Sequence, residues 1–302
     1  MCGIVGYWDK TQSKSAELGQ TILNMLHALA CRGPDSAGVA LYGENRNGDL
    51  VLRISLGENG KPREQAEKVV AASAKLGEVK DSSQVSEYLR CVLDYAGDPR
   101  ELEQRIEMSG DGVEVVSMGR NLEIVKQVGS PENLDRTYSV SKIAGTHGIG
   151  HTRMSTESAV DLSHSQPFWA HGCPDLAIVH NGHITNYHQM RRQYEQHGVH
   201  FYTENDSEII SIYLSERLAE GKTLDEALEQ SIDELDGSFS YLASTRDAVG
   251  FARDRFAMKP LLYSETDDFV AVATEEIAIR AAFRGSFEVR EAHAKEVSVW
   301  HK

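Results

Sequence analysis

Residues 1–8, MCGIVGYW, place a cysteine directly behind the initiator methionine and follow it with an apolar run between two glycines. The apolar run predicts a short buried strand over residues 2–8. Gly3 and Gly6 lack a Cβ atom, so this strand can pass close to a neighbouring strand or to a substrate. A thiolate is the strongest common side-chain nucleophile, but a free thiol with a pKa of about 8.5 is mostly protonated at neutral pH. A catalytic Cys2 therefore needs a base.

The start of the chain can itself supply that base. If Met1 is removed, the α-amino group of Cys2, whose ordinary pKa is about 7.7–8.0, can accept the proton of its own thiol. We expect the removal because the enzyme that trims initiator methionines accepts only a small second residue. A Met-Cys start alone more often has no catalytic role, so the prediction depends on motifs elsewhere in the chain.

The composition is that of an ordinary globular protein. The chain has 302 residues, 40% hydrophobic and 25% charged, enough for one large domain or two smaller ones. Its net charge of -15 without a basic patch argues against nucleic acid or an anionic membrane as the main partner. The chain lacks a signal-peptide start and a run of about 20 apolar residues, so we expect a cytoplasmic protein. The four cysteines form no CxxC pair, which fits a reducing compartment better than a disulfide framework or a zinc site.

Strand-like and helix-like segments alternate along the chain without internal repeats. The spacing of apolar residues over 15–30 predicts a helix. Within about residues 45–140, the segments REQAEKVVAASAKLG and SSQVSEYLRCVLDY have an amphipathic helical pattern. We therefore predict one α+β domain over residues 2–302, in which helices cover a strand-rich core, with a mainly helical insertion at about 45–140.

Several short motifs downstream of the Met-Cys start carry polar residues at strand ends, turns or helix starts. They are RGPDSAG (32–38), HTR (151–153), HNG (180–182), NDSE (205–208), RDRFAMKPLLY (253–263) and ATEEIAI (273–279). A cysteine behind the initiator, followed by these motifs in this order, resembles the glutaminase domain of the class II glutamine amidotransferases, which are N-terminal-nucleophile hydrolases. The resemblance covers the chain outside the insertion. It implies a four-layer αββα sandwich.

The resemblance implies that this chain hydrolyses the side-chain amide of glutamine. Cys2 would attack the carbonyl carbon, with its α-amino group as general base and then as general acid. The side-chain amide of Asn181 and the backbone N–H of Gly182 would form the oxyanion hole. From the residues alone, an Asn-Gly pair after an apolar strand is also the signature of a turn.

The resemblance also implies a site for the α-amino acid end of the substrate. Arg153 would hold the α-carboxylate through a bidentate pair, Asp206 would pair with the ammonium group, and Thr156 would contact the substrate. Other interpretations stay open, because Asp206 is also suited to capping the helix that follows it and Arg153 to pairing with a surface carboxylate. We expect the Arg32–Asp35 turn to be structural and to border the pocket.

The chain's twelve histidines show no recognisable metal-binding spacing. His180 and His183 flank the Asn-Gly pair, but no carboxylate lies at ligand spacing from them, so we predict no metal in this chain. We expect His151 and His180 to steady the strand ends that carry Arg153 and Asn181. No glycine-rich phosphate loop follows a strand, so we expect no nucleotide binding.

Members of this family usually continue into a synthase domain that consumes the ammonia, whereas this chain stops, so we expect separate synthase subunits. The chain resembles the stand-alone amidotransferase subunits of glutamate-synthase-type enzymes, particularly N-methylglutamate synthase, whose partner subunits would carry FMN and an iron-sulfur cluster. We expect no cofactor in this chain, and glutamine or glutamate as its small-molecule substrate. Two other classes stay open: a free-standing γ-glutamyl amidohydrolase, and a non-catalytic assembly subunit built on the same fold.

Overall fold

The computed structural model describes residues 2–12, 15–43, 48–57, 61–154 and 162–302. The strands in this part of the chain are β1 (Gly3–Asp9), β2 (Ser36–Tyr42), β3 (Leu50–Ser55), β4 (Glu78–Val85), β5 (Tyr88–Asp94), β6 (Glu114–Gly119), β7 (Leu122–Val128), β8 (His147–Arg153), β9 (Phe168–Trp169), β10 (Ala177–Ile184), β11 (Gly237–Ser244), β12 (Ala248–Arg253), β13 (Leu262–Glu265), β14 (Phe269–Ala273), β15 (Arg290–Glu291) and β16 (Val297–His301). The helices are α1 (Leu18–Ala28), α2 (Pro62–Ser73), α3 (Pro99–Glu107), α4 (Pro131–Tyr138), α5 (Tyr187–Gln196), α6 (Ser207–Ala219), α7 (Leu224–Glu234) and α8 (Glu276–Ala282).

Two antiparallel sheets lie face to face in the middle of the molecule. A seven-stranded sheet has the order β15-β13-β14-β1-β8-β2-β7, and a five-stranded sheet has the order β16-β12-β11-β10-β9. Helices α1 and α8 cover the outer face of the first sheet, and α6 and α7 cover the outer face of the second. The result is the four-layer αββα sandwich, and the α+β prediction is confirmed.

The predicted first strand lies at the centre of the larger sheet. β1 pairs on one side with β14 and on the other with β8, where Gly3 is opposite Thr152. A Cβ atom at Gly6 would lie 3.0 Å from the side chain of Leu242 in the facing sheet. The glycine therefore allows the two sheets to approach closely, as the sequence predicts.

Helix α1 buries the apolar face that its sequence spacing predicts. Leu18, Ile22, Met25 and Leu26 are all buried against the larger sheet. Residues three or four positions apart lie on one face of a helix. Burial of this apolar face holds α1 against the sheet. No helix in the described part of the chain is both long enough and apolar enough to span a membrane.

The segment between β2 and β8 differs from the mainly helical insertion expected at about 45–140. SSQVSEYLRCVLDY forms the second half of β4, the turn after it and β5, and a separate sheet has the order β4-β5-β3-β6. Ser86 has a φ of 54°, which suits the two-residue turn that pairs Val85 with Tyr88. Strand β7 returns to the larger sheet and pairs with β2. β5 has buried residues on both faces and pairs with both β3 and β4. The insertion is therefore a mixed α/β structure, in which helices accompany a sheet.

Candidate active site

Cys2 lies immediately before β1, beside the end of β8. The backbone N–H of Met154 donates to the Cys2 Sγ over 3.4 Å, and the thiol donates to the Met154 carbonyl over 3.7 Å. These contacts follow from the pairing of β1 with β8, which places residue 2 opposite the end of the strand that carries Arg153. The thiol is partly exposed, so a small molecule can reach it.

The backbone carbonyl of Cys2 accepts hydrogen bonds from two of the sequence motifs. Asn181 Nδ2 donates to it over 3.2 Å from the facing sheet, and Arg32 Nε donates over 3.3 Å from the turn before β2. The same Asn181 nitrogen lies 3.3 Å from Thr274 Oγ1, which also accepts a hydrogen bond from the N–H of Ile4. Residue 2 is therefore held at a point where both sheets meet.

The Arg32–Asp35 turn packs directly against the strand end that carries Arg153. A Cβ atom at Gly33 would lie 2.4 Å from the Thr152 carbonyl carbon, so only glycine fits this close approach. The N–H of Asp35 donates to the carbonyl of Arg153 over 3.0 Å. The Arg32 guanidinium forms an ion pair with Glu275 from the ATEEIAI motif. The turn thus borders the site, and sequence analysis missed its ion pair with Glu275.

Asn181 and Gly182 lie inside β10 and do not form a turn. They pair with Ser240 and Phe239 of β11, which keeps the backbone extended through both residues. Gly182 has a φ of 141°, and a Cβ atom there would lie 2.2 Å from the carbonyl oxygen of Ser238. The turn interpretation is wrong, and a side chain at position 182 is excluded by both backbone conformation and space.

Neither Arg153 nor Asp206 has the purely structural role that the sequence leaves open for it, which is surface pairing for Arg153 and helix capping for Asp206. Arg153 is only 5% exposed, so it is not an arginine that pairs at the surface. The Asp206 carboxylate makes no cap hydrogen bond with α6, although it occupies the N-cap position. Its Oδ2 instead accepts from the N–H of Ile184 at the end of β10 over 2.8 Å. Asn205 takes the capping role, because its Oδ1 accepts from the N–H of Ser207 over 3.0 Å.

Thr156, the remaining predicted substrate contact, lies outside the described residues. The other five predicted residues lie immediately before β1, at the end of β8, within β10 and immediately before α6. Together they supply a thiol, a neutral amide donor, a buried guanidinium and a carboxylate.

A buried network around His180 joins β10 to α6, as expected for this histidine, although its partners Gln166 and Ser207 were not predicted. Gln166 accepts from the N–H of His180 over 2.6 Å and donates to the carbonyl of the same residue over 3.1 Å. Ser207 Oγ contacts His180 Nδ1 at 2.8 Å and accepts from Gln166 Nε2 at 3.2 Å. All three side chains are nearly fully buried, so this network fixes the spacing between the strand that carries Asn181 and the helix that follows Asp206.

His151 lies next to the Asn181 side chain in the interior. Burial, together with the neighbouring His180 and Arg153, lowers the pKa of His151 to about 3, so its imidazole is neutral. The ring is near the Asn181 amide, but neither ring nitrogen makes a hydrogen bond of good geometry with the described residues. Burial also lowers the pKa of His180. No positive imidazole charge therefore stands behind the Asn181 amide at neutral pH.

Comparison of the sequence with known proteins points to one family. The family model for the glutamine amidotransferase domain matches residues 151–281, the range that holds Arg153, Asn181 and Asp206. A protein of Methanothermobacter thermautotrophicus, provisionally named a glutamine amidotransferase, is 38% identical over 309 residues and aligns over 99% of both chains. The glutamine amidotransferase-like protein GlxB of Rhizobium meliloti is 35% identical over 298 residues, which cover 92% of this chain and 91% of that protein.

The fold is shared with a solved amidotransferase. The glutamine phosphoribosylpyrophosphate amidotransferase of B. subtilis matches with a TM-score of 0.63 at 20% identity. The match covers 99% of this chain and 47% of that enzyme, so this chain spans about half of its length. On the full-length similarity to the two relatives, and on the shared fold, the chain belongs to the glutamine amidotransferase family.

Proposed function

We propose that this chain releases ammonia from the side-chain amide of glutamine as a class II amidotransferase, with Cys2 as the nucleophile. The observation that carries the proposal is the position of residue 2. Its thiol contacts Met154, directly after Arg153, and its carbonyl accepts from Asn181. The closeness of the thiol, the Asn181 amide and the strand end that carries Arg153 supports the roles of nucleophile, oxyanion donor and carboxylate-binding cation that we propose for them.

The proposed chemistry uses groups of residue 2 itself and of β10. After removal of Met1, the α-amino group takes the thiol proton, and the sulfur forms a bond to the glutamine side-chain carbonyl carbon. The carbonyl oxygen gains the negative charge, and Asn181 Nδ2 with the N–H of Gly182 would stabilise it. The ammonium form of the α-amino group returns the proton to the leaving nitrogen, which departs as ammonia and leaves a γ-glutamyl thioester. Water then hydrolyses the thioester to glutamate and regenerates the thiol.

Recognition of a free amino acid would depend on two opposite charges. Arg153 would bind the α-carboxylate, Asp206 would bind the α-ammonium, and Thr156 would add a polar contact. A buried arginine binds a carboxylate more strongly than an exposed one, because less water competes for the pair. Glutamine within a peptide lacks both free charges, so the site would select the free amino acid.

We further propose that the ammonia passes to separate synthase subunits of the glutamate synthase or N-methylglutamate synthase type, in the cytoplasm. The support is the resemblance of this chain to the stand-alone amidotransferase subunits of those enzymes. The insertion adds nothing to it, because the insertion is a mixed α/β structure and not mainly helical. FMN and an iron-sulfur cluster would belong to the partner subunits, and this chain would contribute only glutamine or glutamate chemistry.

The test compares the purified chain and its native complex, each as wild type, Cys2→Ala and Cys31→Ala. Cys31 is an exposed thiol outside the proposed chemistry, so it controls for general thiol effects. We expect Cys2→Ala to abolish glutamine-dependent turnover and to spare ammonia-dependent synthesis by the complex. Equal loss of both activities would contradict the proposal.

Two further readouts separate the alternative functions. High steady turnover of γ-glutamyl compounds by the lone chain would indicate a free-standing amidohydrolase. Intact-mass analysis reports whether Met1 is removed, and a retained Met1 in an active complex would indicate a non-catalytic assembly subunit, because a blocked amine cannot act as the base.

A further inference from the structure

Two carboxylates and an imidazole converge at a place separate from Cys2. Glu103 and Glu107 lie four residues apart on α3, so both project from the same face of that helix. His171 comes from the loop between β9 and β10. One ligand atom from each of the three side chains lies within 4.8 Å of the others. Glu103 is 4% exposed, so the cluster reaches the interior.

The cluster has few hydrogen-bond donors for its negative charge. Tyr202 places its hydroxyl 2.8 Å from Glu103 Oε1 and 3.0 Å from Glu107 Oε2, but a phenol has one proton to donate. His171 Nδ1 lies 2.5 Å from Glu103 Oε1, and the N–H of Val115 donates to Glu107 Oε1 over 3.1 Å. Among the described residues, no lysine or arginine forms an ion pair with either carboxylate.

Such a pair of carboxylates is unfavourable unless a positive charge joins it. A divalent cation neutralises both carboxylates at once. The His171 ring stacks on Tyr202 with ring centroids 3.7 Å apart, which holds Nδ1 toward the carboxylates.

A cavity next to the cluster offers access and room for water ligands. It has a volume of about 400 Å³ and is lined by Glu103, His171 and Tyr202. His197 and His200 line the same cavity, so two more imidazoles stand along the route by which an ion would enter. An ion held by three protein ligands at the cavity wall would complete its coordination with water from this space.

We propose that Glu103, Glu107 and His171 bind a divalent first-row transition-metal ion, such as Mn²⁺ or Zn²⁺. Two carboxylate oxygens and one imidazole nitrogen form a ligand set that suits these ions. Tyr202 would donate its proton to a carboxylate oxygen that does not bind the ion, and so orient that ligand. Spacing along the chain does not reveal the set, because Glu103 and His171 are 68 positions apart.

The ion would act as a clamp between the insertion and the sandwich. Glu103 and Glu107 belong to insertion helix α3, whereas His171 and Tyr202 lie in loops next to β10 and α6. The backbone N–H of Tyr202 donates to the Glu208 carboxylate over 2.8 Å, which anchors the Tyr202 loop at the start of α6. Binding would therefore stabilise the attachment of α3 without taking part in amide hydrolysis.

The test measures binding of Mn²⁺ or Zn²⁺ alone to the full chain carrying Cys2→Ala, which removes a competing thiol. We expect one ion per chain by equilibrium dialysis and an unfolding midpoint that rises with added ion. Glu107→Gln and His171→Gln should each weaken binding at least tenfold. The matched control is Glu101→Gln, which changes a carboxylate on α3 whose side chain is 58% exposed, and it should leave the affinity unchanged.

Several outcomes would overturn the proposal. Fewer than 0.2 ions per chain, on the order of a surface impurity, would leave only a hydrogen-bonded carboxyl pair. Equal affinity in Glu101→Gln and Glu107→Gln would place the ion elsewhere. If Glu107→Gln fails to fold, His171→Gln decides, because it leaves both carboxylates in place. Tyr202→Phe should retain one ion per chain with a loss of about 10- to 100-fold, and complete loss would make the phenol a ligand and refute the three-residue set.

Discussion

Asn181 Nδ2 donates to the backbone carbonyl of Cys2 over 3.2 Å, although the two residues lie in facing sheets and 179 positions apart in the chain. The hydrogen bond joins the strand that carries the proposed oxyanion donor to the residue that carries the proposed nucleophile. The amide nitrogen therefore already faces residue 2, and a substrate carbonyl near the thiol would lie close to that donor.

Replacing Asn181 with alanine removes this donor and is expected to lower kcat by about 10²–10³, with a smaller change in KM, since the donor acts on charge that develops during the reaction. Steady-state glutaminase assays measure the effect. The matched control is Asn186→Ala, whose side chain bonds to Glu234 and to the N–H of Asp236, away from the thiol. The control should lower the unfolding midpoint and retain kcat. A normal kcat in Asn181→Ala would remove this residue from the proposed oxyanion hole.

The ion pair between Arg32 and Glu275 is expected to position residue 2. Arg32 also donates to the Cys2 carbonyl, so loss of its carboxylate partner would let the first residues shift. We expect Glu275→Gln to lower kcat/KM by about 10- to 100-fold without unfolding the chain. Glu276→Gln is the matched control, because Glu276 pairs only with Arg280 one turn along α8 among the described residues. Similar activity in the two variants would show that the ion pair does not position Cys2.

Asp206→Asn tests whether this carboxylate binds the substrate ammonium. The asparagine oxygen can still accept from the N–H of Ile184, so the strand contact is retained while the charge is lost. We expect KM for glutamine to rise by about 10- to 100-fold, with little change in stability. Asn205→Ala should leave KM nearly unchanged and lower the free energy of unfolding by about 1 kcal/mol, because the helix loses its cap. An unchanged KM in Asp206→Asn would assign the residue a purely structural role.

Features that depend on neighbours in sequence could be predicted. The buried face of α1 follows from a periodic pattern of apolar residues, and a helix is the structure that brings residues of that spacing together. The order of the motifs indicated which segments approach Cys2. Strand β1 could be predicted because it is a short apolar run at the start of the chain, and all of its residues are buried.

Features that depend on distant partners could not be predicted from the sequence. The Asn181-Gly182 pair has the composition of a turn, and only its pairing with β11 keeps it extended. The spacing of apolar residues in SSQVSEYLRCVLDY suits a helix, but β5 forms a strand that pairs with the distant β3 as well as with β4. Glu103 and His171 meet only because α3 packs against the loop after β9. In each case the deciding contact joins segments whose separation in the sequence carries no signal.

Two buried histidines predict that the fold loses stability in mild acid. His147 lies between the rings of Trp8 and Tyr42, and burial lowers its pKa to about 4, while that of His151 falls to about 3. In the unfolded chain both titrate near their ordinary pKa of about 6.5, so below that pH the unfolded state binds more protons. Their contribution to stability is complete above pH of about 6.5 and is lost as the pH falls, by up to about 1.4 kcal/mol per pH unit for each imidazole.

Urea unfolding between pH 7.5 and 5, on the order of six points, measures this slope in wild type and in His147→Gln. Glutamine does not titrate, so the variant should lose about 2 kcal/mol less than wild type between pH of about 7.5 and 5, whatever its stability at neutral pH. His188→Gln changes an exposed imidazole on α5 and should keep the wild-type slope. If His147→Gln and wild type lose stability equally, protonation of the ring between Trp8 and Tyr42 is not what destabilises the fold in acid.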